Sequence, residues 1–321
     1  MAEWKVSFFN LTVPKEFGGG QRLDQYAADN IPDMNRSKLK NGILEISVNG
    51  KQAKLSSSVR AGDVISIKWQ DPVPENIAPE NIPLDIIFEN DQVTVINKSQ
   101  GLVTHPAAGN WSGTLVNALL YHWNKDNVLN DAYSRRTGII HRLDKDTSGV
   151  IITAKTRAAE DFIQKQFQKH LVLKEYIALV KGRPPRRGGC ISTRIIRDPG
   201  DRKRFKAVIG TNEGKYAKTI YFCIACYGEY SLMRFRLKTG RTHQIRVHSK
   251  YIGCPILGDP IYNSKKEDLF PSASLMLHSR FLRLLLPGEK KYSEFYAKIP
   301  DRFKRILKVL HCKYAKEIVT T

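Results

Sequence analysis

A carboxylate in a short loop of charged and small residues can attack carbon, take a proton, bind a cation or merely brace a turn. Asp144 is such a group. It opens the loop Asp144-Lys145-Asp146-Thr147-Ser148-Gly149, which lies between two β-branched runs, Gly138–His141 and Val150–Thr153. Taken alone, the turn is the default reading, because aspartate favours turns through its own backbone hydrogen bonds. The neighbours widen the choice. Arg142 and Lys145 supply positive charge on either side, and the small polar residues that follow let the backbone bend tightly around a ligand. Other groups invite chemistry too. Cys223-Ile224-Ala225-Cys226 has the spacing of a zinc half-site, yet no second cysteine pair or spaced histidine pair accompanies it, and its apolar surroundings read as core. Histidines 105, 141, 243, 248 and 278 are scattered and read as hydrogen-bonding groups within the fold. The stretch Lys181–Lys218 holds twelve lysines and arginines against Asp198, Asp201 and Glu213, and is densest at Arg202-Lys203-Arg204-Phe205-Lys206. A solvated charge run is the general default for such a stretch. In a chain this basic it is also a candidate contact for a polyanionic partner.

These groups need a scaffold, and 321 residues are enough for two folded units. The formal net charge is +21 and hydrophobic residues make up 41%, with acidic residues mixed among the basic ones. That describes a globular protein with a basic surface rather than a disordered tail. Such an excess suits a polyanionic partner whose condensed counterions are released on binding; a generally lysine-rich composition is the plain alternative. The first residues, Met1-Ala2-Glu3-Trp4-Lys5, lack the basic-then-apolar pattern of a secretory signal. No apolar run approaches the roughly 18–20 residues of a membrane helix, and the five cysteines are too scattered for a disulfide framework. A cytoplasmic protein without membrane segments is the expectation.

The spacing of Leu23, Tyr26, Ala27 and Ile31 predicts a helix over residues 22–31, and Asn35 or Ser37 can cap a second short helix. Ile46-Ser47-Val48-Asn49-Gly50-Lys51 alternates into an Asn-Gly turn, and Gly62–Ile67 reads as a turn feeding a closing strand. A helix pair followed by short strands, with Arg36, Lys38, Lys40 and Lys51 near the turns, resembles the S4 RNA-binding module; a small accessory α+β domain is the alternative. The unit is placed at residues 20–70. Residues 71–83 carry four prolines among polar residues and read as a semi-rigid linker. Residues 84–318 form the second unit. Ile86–Phe88 and Val93–Ile96 flank a hairpin turn, Thr156 can cap a helix carrying Phe162, Ile163 and Phe167, and Tyr176–Val180 is a strand. In Tyr230–Leu237, Met233, Phe235 and Leu237 alternate with Arg234 and Arg236, as in a half-buried strand. A helix is expected from about Thr239–Thr242, and a basic amphipathic helix over residues 302–318 with Phe303, Ile306, Leu307 and Leu310 inward. The class is α+β with a mixed, largely antiparallel sheet.

The run His141-Arg142-Leu143-Asp144-Lys145-Asp146-Thr147-Ser148-Gly149 resembles the signature of the RluA-type pseudouridine synthases. The likeness continues in order through Asn97–Pro106, Lys174-Glu175-Tyr176, Leu237–His248, Pro255–Pro260 and Leu277-His278-Ser279, so it spans about residues 85–300. Ser99-Gln100 departs from the family, which has Pro-Ala or similar there; this touches a loop and not the reacting groups.

The resemblance implies an isomerase that converts uridine in RNA to pseudouridine with no metal or cofactor. It gives Asp144 the role of nucleophile, at C1′ of the ribose or C6 of the ring. An ordinary carboxylate is ionised at neutral pH, and a fixed cation offsets the effect of burial against a flipped base. Arg241, in Gly240-Arg241-Thr242-His243-Gln244, is the candidate for that ion pair; a helix-start arginine binding phosphate is the alternative. Tyr176 corresponds to the family's active-site tyrosine, able to stack on uracil and, through its hydroxyl, to take part in removing a proton; an ordinary strand aromatic in the core is the alternative. Arg142 corresponds to the arginine that fills the space vacated by the flipped base. Ile245 lines the uracil pocket or simply packs in the core. Arg202, Lys203, Arg204, Arg36 and Lys38 are candidate RNA contacts. The S4-like unit, together with His105–Asn110, resembles the branch acting on 23S rRNA of the large ribosomal subunit, free or in an assembling particle. Transfer RNA is the alternative substrate, and a monomer is expected. A non-catalytic RNA-binding factor on the same fold would have lost Asp144, Tyr176 or Arg241, and none is lost. A metal-dependent nuclease or deaminase would need a carboxylate cluster or a His-x-Glu with a Pro-Cys-x-x-Cys pair, and neither is present in the sequence.

Overall fold

The computed structural model describes residues 6–31, 34, 36–70, 77–106, 110–125, 138–201, 203–263 and 269–314. Several expected features lie outside these residues: the Asn35 cap, the Ser37 and Lys38 side chains, Arg202, the linker over residues 71–76, and the end of the last helix over residues 315–318. The described chain divides into two compact units, one ending at Ile77 and the other beginning at Ala78.

The first unit contains β1 (Val6–Thr12), α1 (Leu23–Asn30), α2 (Arg36–Gly42), β2 (Ile43–Val48), β3 (Lys51–Gln52) and β4 (Val64–Gln70). Its four strands are ordered β1-β4-β2-β3 and are antiparallel throughout. Leu23, Tyr26, Ala27 and Ile31 are buried, as their helical spacing requires, and pack with Leu39, Ile46, Ile65 and Ile67. The unit starts earlier than residue 20. β1 pairs along the whole of β4, a partner more than fifty residues away, so nothing local in Val6–Thr12 announces it.

The second unit is built on one large sheet. Its elements are β5 (Ile86–Glu89), β6 (Val93–Lys98), α3 (Leu115–Lys125), β7 (Ser148–Ala154), α4 (Arg157–Gln168), β8 (Leu173–Lys181), β9 (Gly188–Arg197), β10 (Phe205–Val208), β11 (Lys215–Tyr227), β12 (Tyr230–Leu237), α5 (Gln244–Tyr251), β13 (Leu277–Leu285), β14 (Tyr292–Tyr296) and α6 (Asp301–Tyr314). The strand order is β10-β9-β11-β12-β8-β13-β7-β6-β5, with β14 on β13. Every pairing is antiparallel except β13 with β7, so the sheet is mixed and largely antiparallel. α3 buries Leu115, Leu119 and Trp123, successive turns of one face, against Ile96 and Ile151. Thr156 caps α4, its side chain accepting from the Ala159 amide. Ile163 is fully buried there, while the neighbouring Phe162 is 36% exposed.

Three local readings change. Gly138–His141 is not a strand: Ile139 makes one isolated bridge to Thr153, and the His141 imidazole accepts the Ile152 amide hydrogen where a strand would offer a carbonyl. α5 starts at Gln244 rather than near Thr239–Thr242, because His243 adopts a left-handed backbone (φ 54°) at its N-terminus. Cys223 and Cys226 are half-buried rather than core, and a bulge between Cys223 and Ala225 brings their sulfurs to 3.4 Å.

Candidate active site

The loop bearing Asp144 leads into β7, and nearly every carbonyl in it is taken. The Leu143 carbonyl accepts from Thr104 Oγ1 at 2.9 Å and the Asp144 carbonyl from the Thr147 amide at 3.0 Å. The Lys145 carbonyl accepts from the Gly101 amide at 2.9 Å and from Lys98 Nζ at 3.1 Å. The Asp146 carbonyl accepts from Gln100 Nε2 at 3.0 Å. Lys98 is buried and also donates to the carbonyls of Ser99 and Leu102. Burial pushes its pKa down to about 8, against the pull of Asp146 and Asp144. Gln100, at the departure from the family pattern, also donates to the Leu275 carbonyl and accepts from Ser274 Oγ. The loop it touches is the one that carries the candidate nucleophile. Behind the loop, Gly149 (φ 115°) is needed where β7 meets β13, because a Cβ there would lie 2.1 Å from the Ser279 carbonyl oxygen.

The cation beside Asp144 is Arg246 and not Arg241. Arg246 Nη1 lies 3.4 Å from Asp144 Oδ2, while its Nε and Nη2 make a two-pronged pair with Asp259 at 2.7 and 2.8 Å. The Asp259 side chain is fully buried and its Oδ1 also accepts the amides of Ile261 and Tyr262. A planar fork held this way presents its third nitrogen to Asp144 in a fixed direction. Arg246 also lies over the Tyr262 ring, 5.1 Å from its centroid. Arg241 precedes the helix, and its Nε is spent on the Tyr216 carbonyl at 2.9 Å. The Gln244 side chain holds that turn in place, accepting from the Arg241 amide and Thr239 Oγ1 and donating to Lys218 and Thr219. His243 Nε2 stands 3.8 Å from Asp144 Oδ2, and its Nδ1 is 3.0 Å from the Tyr262 hydroxyl. When Nδ1 accepts from that hydroxyl, Nε2–H faces the carboxylate. Burial lowers the pKa of His243 and the charge of Asp144 opposes this.

Asp144, Arg142, Tyr176, Arg241, Ile245 and Arg246 all line one cavity of about 610 Å³. Tyr176 is buried on β8, paired across the sheet with Ser279 on β13. Burial pushes its pKa up to about 12, so it is a neutral phenol at physiological pH. Ile245, 4% exposed, supplies an apolar wall, and Arg142 is exposed at the rim. The remaining candidates lie elsewhere. Lys203 is exposed in the turn before β10, and Arg204 donates to the Ile261 carbonyl and approaches Asp201 at 3.5 Å. In the first unit, Arg36 pairs with Asp24 at 2.9 Å, with its side chain 56% exposed. Arg246, Asp259 and Lys98 were not picked out from the sequence, although all three stand inside the motif blocks, and His243 was read only as a hydrogen-bonding group within the fold.

The family model described as RNA pseudouridylate synthase matches residues 92–251, a span that holds Asp144, Tyr176 and Arg246. The chain is similar to ribosomal large subunit pseudouridine synthase D of Borreliella burgdorferi, with 40% identity over 302 residues, 91% of each chain. It is also similar to the protein of that description from Pasteurella multocida, with 37% identity over 92% of this chain and 93% of the other. The chain belongs to the RNA pseudouridylate synthase family. Its fold agrees with that of human RNA pseudouridylate synthase domain containing 4, at a TM-score of 0.57 and 24% identity, over 71% of this chain and 93% of that one. The synthase is therefore an isomerase acting on RNA. The cavity holds a carboxylate beside the fixed Arg246 guanidinium and a wall that includes Tyr176 and Ile245.

Proposed function

We propose that this synthase isomerises uridines of large-subunit ribosomal RNA, with Asp144 as the nucleophile. The observation that carries the mechanism is the chain Asp144–Arg246–Asp259, which anchors one carboxylate at the wall of a cavity wide enough for a flipped base. Base flipping costs a few kcal/mol, and a loop or bulge in the RNA lowers that cost. Arg142, exposed at the rim, fills the space the base leaves. The uracil lies against Tyr176 and Ile245. Asp144 attacks, at C1′ or at C6, and the bond from C1′ to N1 breaks. The uracil turns within the cavity, C5 bonds to C1′, the C5 proton is lost, N1 gains one, and Asp144 is released. Atoms and charge balance without a cofactor. As a neutral phenol, Tyr176 serves best as a stacking surface rather than as a base. Arg241, whose Nε is already engaged, suits an RNA phosphate rather than Asp144.

Support for the ribosomal substrate comes from relatives named for the large subunit. Residues 20–70, extended back to β1, serve in this reading as an S4-like RNA-docking unit that uses Arg36 and Lys38. The exposed Lys203, with Arg202 and Arg204 on either side, contacts RNA phosphates beside the catalytic cavity. The synthase works as a monomer in the cytoplasm, on free RNA or an assembling particle.

RNA labelled with tritium at uracil C5 tests the reading directly. The wild type releases tritium from large-subunit rRNA transcript, and Asp144→Asn releases none. Release from tRNA but not from rRNA overturns the substrate; full release by the Asp144→Asn variant overturns the nucleophile.

A further inference from the structure

Lys174 is unaccounted for by the reaction and by the fold. It lies on β8 two residues before Tyr176, so both side chains share one face of the strand, while Glu175 points the other way and pairs with Arg236. Lys174 is 8% exposed, and among the described residues its ammonium has no carboxylate or carbonyl partner. What it touches is the Phe167 ring, whose centroid is 5.1 Å from Nζ. A cation over an aromatic face gains about 0.5–2 kcal/mol, which does not offset the burial of an unpaired ammonium. The neighbouring His141 offers no counter-charge. It is half-buried, its imidazole accepts the Ile152 amide, and its pKa is pushed down to about 3, chiefly by desolvation and also by Lys174 itself. Burial lowers the pKa of Lys174 to about 8, which leaves most of it charged at neutral pH. Lys174 lines the cavity, so its ammonium is open to an anion arriving from solution.

The cavity shows where that anion would stand. Besides the part around Asp144, it extends along α4 to Gln164, Phe167, Gln168, His170 and Lys174. Its volume, about 610 Å³, is in the range that holds a whole drug-sized ligand, more than one uracil ring needs. Gln164, Gln168 and His170 are exposed, so this arm has a rim of hydrogen-bonding groups over a floor that carries the Lys174 ammonium. Two residues along a strand span about 7 Å, the scale of the step from a base to the sugar–phosphate chain beside it. The geometry points to this arm as a subsite for one phosphodiester adjoining the target uridine, with Lys174 as its anion-binding group. This rests on the reading of the cavity as the uridine site, and it adds a contact that selects how the strand runs through it.

The test uses the full-length protein and whichever RNA the wild type modifies, rRNA transcript or tRNA, so a wrong substrate assignment leaves it intact. Lys174→Met is expected to raise KM about tenfold or more, as loss of a charged hydrogen bond does, with a much smaller fall in kcat. The dependence of log KM on log salt becomes shallower by about 0.7–0.9, the worth of one phosphate contact, and Lys174→Arg restores both. Replacing single phosphates beside the mapped uridine with neutral methylphosphonates raises KM for the wild type at one position, and Lys174→Met is indifferent to that same replacement. An unchanged salt slope in a folded Lys174→Met protein overturns the proposal, as does a loss confined to kcat. Should Lys174→Met fail to fold, the methylphosphonate series on wild type and Lys174→Arg decides: no sensitive position beside the target overturns it.

Discussion

Replacing Asp259 with asparagine tests whether the buried fork fixes the nucleophile. The oxygen of the amide can still accept the Ile261 and Tyr262 amides, which leaves its NH₂ facing the Arg246 Nε–H, donor against donor. The Arg246 side chain is only 6% exposed and keeps one hydrogen bond, from Nη2 to that now uncharged oxygen, and the longer contact to Asp144. Removing one partner of a buried pair costs about 3–5 kcal/mol. Because Asp144 remains as a counter-ion, the lower end applies, about 3 kcal/mol. For a unit of this size that is a fall in Tm of roughly 6–12 °C. Arg246→Met removes the charge from Asp144 itself. At 3.4 Å the attraction is about 5 kcal/mol at an effective dielectric of about 20. Desolvation offsets part of this, so a loss of about 3 kcal/mol in the transition state, roughly a hundredfold in rate, is expected. Arg241→Gln is the contrast, since that guanidinium is engaged with Tyr216. Single-turnover tritium release at saturating RNA, run beside thermal melts, measures all three. Two results refute the reasoning: Asp259→Asn melting within about 2 °C of wild type at an unchanged rate, or Arg241→Gln losing more rate at saturation than Arg246→Met.

Acid should unfold the catalytic unit through its buried histidines. The pKa values of His141, His248 and His278 are pushed down to about 3, 4 and 4 by burial. Each therefore binds a proton in the unfolded chain before the folded one. Their contribution is complete above about pH 6.5 and is lost as pH falls toward 4. In denaturant titrations from pH 7 to 4, His141→Phe should be about 1–3 kcal/mol less stable at pH 7 because the Ile152 amide is orphaned, and the gap to wild type should narrow in acid. A constant gap contradicts the buried neutral imidazole. Gly149→Ala should yield little soluble protein, or a melt lowered by more than about 4 kcal/mol equivalent, since its Cβ would overlap the Ser279 carbonyl. A near-normal melt removes the close approach of β7 and β13.

What the sequence announced were features whose cause is local. β12 shows its alternation because one face is buried and the other carries Arg234 and Arg236. Thr156 is a cap by residue type, and Asp144 stood out through the company of its motif. The choice between Arg241 and Arg246 depended on where α5 begins. That point is set by the left-handed turn at His243 and by the Gln244 side chain reaching Lys218 and Thr219 on β11, contacts no local pattern carries. β1 and Lys174 were missed for the same kind of reason: one is defined by a distant strand, the other by burial that only the folded sheet creates. Gln100 was set aside as part of a loop, and its significance depends on which loop it reaches.

The position of β13 has a consequence for how the enzyme comes into being. Asp144 leads into β7 and Tyr176 stands on β8, yet these strands are not neighbours; β13, made more than a hundred residues after Tyr176, lies between them and sets their spacing. A chain emerging from the ribosome with β7 and β8 already formed has both residues and no site. Pairings of such long sequence separation close late and slowly. Activity in this family member therefore switches on at one moment of folding, when a single strand is inserted, and a truncation between residues 260 and 276 yields a protein that keeps Asp144, Tyr176, Arg246 and Asp259 and has no catalysis.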